Sequence, residues 1–278
     1  MRKIFLLITL ILLCPACSQN PLNSKLPSPV SKPQEPSVWL EDLSSAQVAS
    51  SLQSGSTRVI IPTGGVEQNG PYLALGKHNF ILEFICERLA RRLENTMVAP
   101  IVKYVPEGQI EPAQGHMRHP GTLSLRPETF DAMLEDIVRS LRAHGYKEII
   151  LLGDSGGNQD GMKRVAEKLN PLWSDCRVHF LAEFYDYDGV RTWLRGQGYQ
   201  EHEPLHHEEI AFTAQVAVLH PEALRFDERV TDDGTFELNG VTFEGLAELR
   251  ELGRDIMDWR VERCVEAMQG LGLDSQSR

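Results

Sequence analysis

The chain has no run of eighteen or more apolar residues, the length a bilayer core demands, so no segment reads as a membrane-spanning helix. Basic charge is in short supply: 28 Lys and Arg stand against 39 Asp and Glu, a formal net charge of −11. Phosphate-backbone recognition needs a basic face, so nucleic acid is excluded as a partner. Cysteine is sparse, with 5 in 278 residues and no C-x-x-C pair, which removes zinc ribbons and dithiol redox motifs. Cys86, Cys176 and Cys264 lie far apart and read as buried thiols. What is present is globular: 41% hydrophobic and 24% charged residues, enough for one large domain or two small ones.

The first residues read as a targeting segment. Arg2 and Lys3 precede a ten-residue stretch from Ile4 to Leu13, apolar apart from Thr9 and too short to span a bilayer. Pro15-Ala16-Cys17-Ser18 follows, which resembles a bacterial lipoprotein cleavage site and makes residues 1–16 the expected signal peptide. Cys17 is the expected lipidated residue, anchoring a periplasmic protein without spanning the membrane. Five of the twenty residues from 18 to 37 are Pro, so residues 17–37 are expected to be a tether. The body is then expected over 38–272, with a short tail over 273–278.

Within the body, strands and helices alternate. Strands are expected at 57–63, 97–104, 147–152 and 177–182 from β-branched or continuous apolar runs. Helices are expected at 78–95, 127–144, 158–169, 208–218 and 244–269, the first carrying Ile81, Phe84, Ile85, Leu89 and Leu93 on one face. Asn239-Gly240 marks a hairpin within 236–243. The pattern predicts an α/β fold, three α/β/α layers around a mainly parallel sheet. Ligands of such sheets bind beyond the carboxyl ends of the strands, so the loops after the strands are the places to seek chemistry.

Two of those loops carry motifs. The first runs Gly64-Gly65-Val66-Glu67-Gln68-Asn69-Gly70-Pro71-Tyr72-Leu73-Ala74-Leu75-Gly76-Lys77-His78. It resembles the creatininase (creatinine amidohydrolase) signature G-x-x-E-Q-H-G-P-H-L-P-L-G-T-D. The second, Gly153-Asp154-Ser155-Gly156-Gly157-Asn158, is similar to that family's N-G-H-G-G-N. Gly115 to Leu125 resembles its E-H-x-x-F-P-G-T-[IL]-[ST]-L, and His207 to Ala214 stands where the family has H-A-G-x-x-[ED]-T-S. The four stretches fall in the family's order over about residues 58–222.

The resemblance implies an α/β/α hydrolase that cleaves a cyclic or formyl amide with one or two divalent ions, usually zinc or manganese. Such an ion polarises the carbonyl and lowers the pKa of bound water. Carried over position by position, the family's ligands become Glu67, Asn69, His78, Ser155 and Phe212, so only the first is kept as it stands. This divergence predicts a rewired metal site of Glu67, His78 and Asp154, open to help from His116 or His207. His207 also matches the histidine that assists amide cleavage as general acid or base. Substrate contact is expected from Asn69, Tyr72, His116, Gly156, Gly157 and Asn158. The family's members often form ring oligomers, so a homo-oligomer is a further expectation.

Two other readings stay open at this stage. Gly153-Asp154-Ser155-Gly156-Gly157 also fits G-x-S-x-G between a strand and a helix, the setting of a serine nucleophile, with Asp186 or Asp188 and His206 or His207 downstream. Loss of charged ligands also suits a non-catalytic member that binds a small solute or a partner. The environment of Phe212 separates these cases, since a carboxylate from Glu208 or Glu209 in its place would keep a metal site alive.

Overall fold

A computed structural model describes residues 36–202 and 207–273. Cys17, the leader, most of the Pro-rich stretch, His206 and the last five residues lie outside the described residues. The compact unit that carries the fold begins at Ser37.

Four strands form one sheet: β1 (Arg58–Thr63), β2 (Thr96–Val98), β3 (Glu148–Gly153) and β4 (Arg177–Phe180), in the order β2-β1-β3-β4. Every pairing is parallel, with Ile60 opposite both Val98 and Ile150, and Ile150 opposite His179. The helices are α1 (Ser45–Gln53), α2 (Lys77–Leu93), α3 (Pro127–Ala143), α4 (Gln159–Leu169), α5 (Tyr187–Gly196), α6 (Ile210–Leu219) and α7 (Leu246–Gly270). A separate hairpin pairs β5 (Phe236–Leu238) with β6 (Val241–Phe243) across Asn239-Gly240. Among the described residues no helix is long and apolar enough to cross a membrane.

The period-two pleat builds two cores from one sheet. Ile60, Ile150 and Leu152 face α2, α6 and α7, packing with Ile81, Ile85, Val216 and Ile256. Val59, Ile61, Ile149 and Leu151 face the other way, onto Phe130, Leu134 and Val138 of α3 and Met162 and Val165 of α4. This is the three-layer arrangement that the alternating pattern predicts. Strand β1 is buried along its whole length, as a central parallel strand must be. Its carboxyl end and that of β3 therefore open side by side, and both motif loops emerge there.

The structure differs from the sequence reading in three places. The strand expected over 97–104 ends at Val98, because Pro100 has no N–H for the ladder. Pairing resumes as a single bridge between Val102 and Thr63. Helix α1 escapes periodicity since none of its residues is buried, and its signal is instead a capping box between Ser44 and Gln47. Helix α5 is masked by Gly189, whose N–H is capped by Asp186 Oδ1 at 2.8 Å.

Helices α6 and α7 cross closely. Helix α6 is buried almost all round, and a Cβ built on Gly253 of α7 would stand 2.1 Å from the carbonyl oxygen of Ala214. Gly253→Ala should therefore lower unfolding free energy by about 1–3 kcal/mol, since backbone overlap outweighs the roughly 1 kcal/mol that alanine gains in helix propensity. Denaturant titration checks this. An equal or higher midpoint for the variant would show that the crossing is looser than described.

Candidate active site

Hydrogen bonds from side chains hold the loop after β1 in place. Asn79 at the start of α2 grips Gly65 on both sides: its Nδ2 donates to the Gly65 carbonyl at 2.8 Å, and its Oδ1 accepts from the Gly65 N–H at 3.2 Å. Asn69 Nδ2 donates to the carbonyls of Glu67 and Ala74 at 3.0 and 2.9 Å. Asn158, from the loop after β3, donates to the carbonyls of Thr63 and Gly64 at 3.1 and 2.8 Å. The two motif loops are thus stitched together, and Glu67 is delivered to one fixed point.

Glu67 is buried, and the nitrogens of basic side chains surround it. Its Oε1 lies 2.7 Å from His78 Nε2, 3.3 Å from Lys77 Nζ and 3.7 Å from His207 Nδ1. Its Oε2 lies 3.2 Å from His116 Nε2. Burial alone would raise its pKa, but His207, His78 and Lys77 together hold it well below the usual carboxylate range. His78 is clamped from both sides, its Nδ1 lying 2.9 Å from Asp154 Oδ2. Burial and the neighbouring ammonium oppose its charge, yet two carboxylates, one at each ring nitrogen, raise its pKa. Each ring nitrogen therefore faces a carboxylate oxygen.

The line continues into the core. Asp154 Oδ1 accepts from Arg260 at 2.6 Å and from the Tyr187 hydroxyl at 2.7 Å. Its burial is overcome chiefly by Arg260, which keeps it ionised. Arg260 also donates to Gln215 Oε1 at 3.1 Å and to the carbonyl of Phe184 at 2.9 Å. Lys77 is fully enclosed: its Nζ donates to the carbonyl of His207 at 3.2 Å and stands 4.1 Å above the Phe212 ring. Burial pushes the lysine pKa down, against the pull of Glu67 and Glu209.

These groups border a cleft of about 500 Å³, walled also by Glu107, His116, Ser155, Tyr185 and His207. Burial, and then the nearby Glu67 charge, push the Glu107 carboxyl up to about 8, so it carries a proton at neutral pH. Ser155 Oγ donates to Glu107 Oε2 at 2.9 Å, while Glu107 Oε1 is buried without a hydrogen-bond partner. His207 adopts a left-handed φ of 64°, uncommon for a residue with a side chain, and packs edge to face on His116.

The residues singled out from sequence divide into three groups. Glu67, His78, His116, Ser155, Gly156, Gly157 and His207 all border the cleft, and Asp154 lies directly behind His78. Asn69 and Asn158 are buried loop staples outside its walls. Tyr72 is elsewhere, beneath the Arg229 guanidinium at 4.4 Å. Ser155 binds a carboxyl and no described histidine, while Asp186 caps α5 and Asp188 pairs with Arg191, so the described residues contain no serine relay. Phe212 does face the cleft, and so does Glu209, whose Oε2 is buried and unpartnered. Glu208 turns away to Arg229 at 3.2 Å. Lys77, Glu107, Tyr187 and Arg260 are part of the arrangement and were not singled out from sequence. Only the direct adjacency of Lys77 to His78 gave a usable signal.

The donor set fits one divalent ion better than the family's pair. Glu67, His116 and His207 each present a ligand atom, all within 4.8 Å of one another. One carboxylate and two imidazoles are the three protein ligands of a catalytic zinc with an open fourth position. Burial lowers the His116 pKa, favouring the neutral ring that a metal needs. At the remaining family positions, Asn69 lies outside the cleft walls, Ser155 offers only a neutral hydroxyl, a weak ligand, and Phe212 has no ligand atom.

Residues 41–268 match the sequence model of the family described as Creatininase, creatinine amidohydrolase. Creatinine amidohydrolase of Pseudomonas putida is 24% identical over 148 residues, 53% of this chain and 55% of that protein. The mycofactocin precursor peptide peptidase of Mycobacterium tuberculosis is 28% identical over 142 residues, 46% of this chain and 54% of that one. These matches span about half the length of the curated relatives. Solved creatininases, a manganese form and a mutant of Zn-Zn type, superpose with a TM-score of 0.64 at 21% identity. They cover 84% of this chain and 98% of theirs, a likeness of fold.

The raised Glu107 pKa has a sign that can be measured. Between the ordinary value near 4.5 and about 8, the unfolded chain has released the Glu107 proton and the folded chain still holds it. The stability that this proton linkage supplies is therefore lost as pH rises across that window. In chelator-treated protein, Glu107→Gln should gain stability relative to the natural chain by roughly 1–3 kcal/mol over that range, and no more above it. A difference that does not change with pH would mean that Glu107 is ionised in the cleft.

Proposed function

The chain belongs to the creatininase family, and we propose that it hydrolyses a small non-peptide amide, cyclic or formyl, in the cleft beside Glu67. The observation that carries this reading is the convergence of Glu67, His116 and His207 at the cleft wall, with ligand atoms within 4.8 Å of one another. Under this reading these three residues hold one zinc or manganese ion. When bound, such an ion supplies Lewis acidity toward the amide carbonyl and lowers the pKa of a coordinated water. The amidohydrolase and peptidase names of two relatives support a carbon–nitrogen bond as target, and the manganese and Zn-Zn forms of the solved creatininases support a divalent ion.

The chain's own residues supply the rest. Lys77 and His78 keep Glu67 ionised from its inner side, leaving Oε2 directed at His116. Glu107 carries a proton and borders the cleft, which makes its carboxyl the group that can protonate a leaving nitrogen. Ser155 fixes Oε2 of Glu107, which makes it a positioning residue in this scheme. Gly156 and Gly157 border the cleft, and a Cβ on Gly156 would crowd the Tyr185 hydroxyl at 2.9 Å, so this wall is formed by bare backbone.

Elemental mass spectrometry on the purified protein tests the reading, paired with release of amine or ammonia from a panel of cyclic and formyl amides. About one equivalent of zinc or manganese is expected, lost in Glu67→Ala and in His116→Ala. Glu107→Gln should keep the metal and lose about a hundredfold or more in kcat. A protein that takes up no metal when zinc and manganese are offered would overturn the proposal in favour of a binding role.

A further inference from the structure

A second cavity, about 590 Å³, adjoins the cleft. The two share Pro106, Gly108 and Gly157 as walls, so one thickness of backbone separates them. The partition is tight: a Cβ on Gly157 would stand 1.8 Å from the carbonyl oxygen of Pro106. Glu107 lies in the middle of this partition and turns its carboxyl into the cleft, toward Ser155. The chemistry on the other side is different. Ile110, Leu125 and Pro127 make a largely hydrocarbon lining, and Ile110 is 40% exposed, a bulky apolar side chain held at the surface. A polar reaction cleft and an apolar pocket thus meet over the residue that faces the reacting group.

Resting on the proposed amide hydrolysis, we infer that the substrate is a two-part molecule: a polar amide head in the cleft beside Glu67 and His116, and an apolar arm crossing Pro106 and Gly157 into the pocket lined by Ile110, Leu125 and Pro127. The shared ridge of Pro106 and Gly157, bordered by both cavities, selects this occupant, an arm that passes over the ridge. An arm attached to the amide reaches the pocket with no further cost in translational freedom, whereas a separate ligand must bear that cost alone. The pocket then selects by length and apolarity, and the cleft selects the functional group.

N-methyl-, N-propyl- and N-pentylformamide serve as probes, with affinity measured by calorimetric competition and hydrolysis recorded separately. Each added methylene should tighten binding about two- to fourfold, so that the pentyl compound exceeds the methyl compound by roughly 15- to 250-fold. Ile110→Asp, a change at a partly exposed position outside the reaction machinery, should cut affinity for N-pentylformamide about tenfold and leave that for N-methylformamide unchanged. His116→Ala should weaken every member alike. A flat series overturns the inference, and so does a steep series that either variant leaves untouched. Hydrolysis decides the other question: turnover with a flat series retains the enzyme and removes the two-part substrate. A steep series sensitive to both variants, without turnover of any amide, retains the two-part ligand and removes the hydrolase.

Discussion

An ionised carboxylate buried at the end of a parallel sheet must be balanced by positive charge, and Glu67 sets that requirement here. Desolvation of such an ion costs several kcal/mol unless partners and hydrogen bonds offset it. The structure meets the need with an alternating line of Arg260, Asp154, His78, Glu67 and Lys77, running from α7 in the core to the cleft. Each member is in contact with the next, and α2, α6, α7 and both motif loops contribute groups to the line or its supports. Removing one member takes from its neighbour a partner that offsets desolvation, and breaking a buried pair in this way typically costs about 3–5 kcal/mol. The close α6–α7 crossing at Gly253 and the asparagine staples share one consequence, which is a fixed register for this line.

The same balance explains how the family's motif can change so far while the fold stays. The creatininase signature ends in Thr-Asp, and this chain has Lys77-His78. A carboxylate that would repel Glu67 is replaced by an imidazole ring that pairs with it, and the Lys77 amine joins from the adjacent residue. Two basic side chains now meet the inner face of Glu67. The outer oxygen still meets His116, with His207 close by, so capacity for a cation remains on the solvent side. Phe212 is consistent with this division, since its ring packs beneath Lys77 and edge-on to His78.

Much of this was legible in the sequence because short-range patterns carried it. The buried strands 58–63 and 148–153, the Asn239-Gly240 hairpin and the stripes of α2 and α3 follow from periodicity and turn chemistry. The four motif stretches placed Glu67, His78, His116 and His207 around one cleft. Arg260 could not be read this way, because on a long mixed helix it looks like a solvated charge and only tertiary packing turns it to Asp154. Glu107 stands in the irregular stretch between β2 and α3, where no period marks an inward side chain. Asn69 and Tyr72 show the converse, since a motif position fixes a residue's place along the loop and not the direction of its side chain. In the structure one staples the loop and the other sits under Arg229.

Anomalous X-ray scattering from crystals equilibrated with zinc or manganese tests the central claim most directly, because it locates each ion against its ligands. The account predicts one peak per chain, bonded by Glu67, His116 and His207 at about 2.0–2.2 Å. Two peaks in each chain, a single ion held by His78 and Asp154, or no ion at all would contradict it.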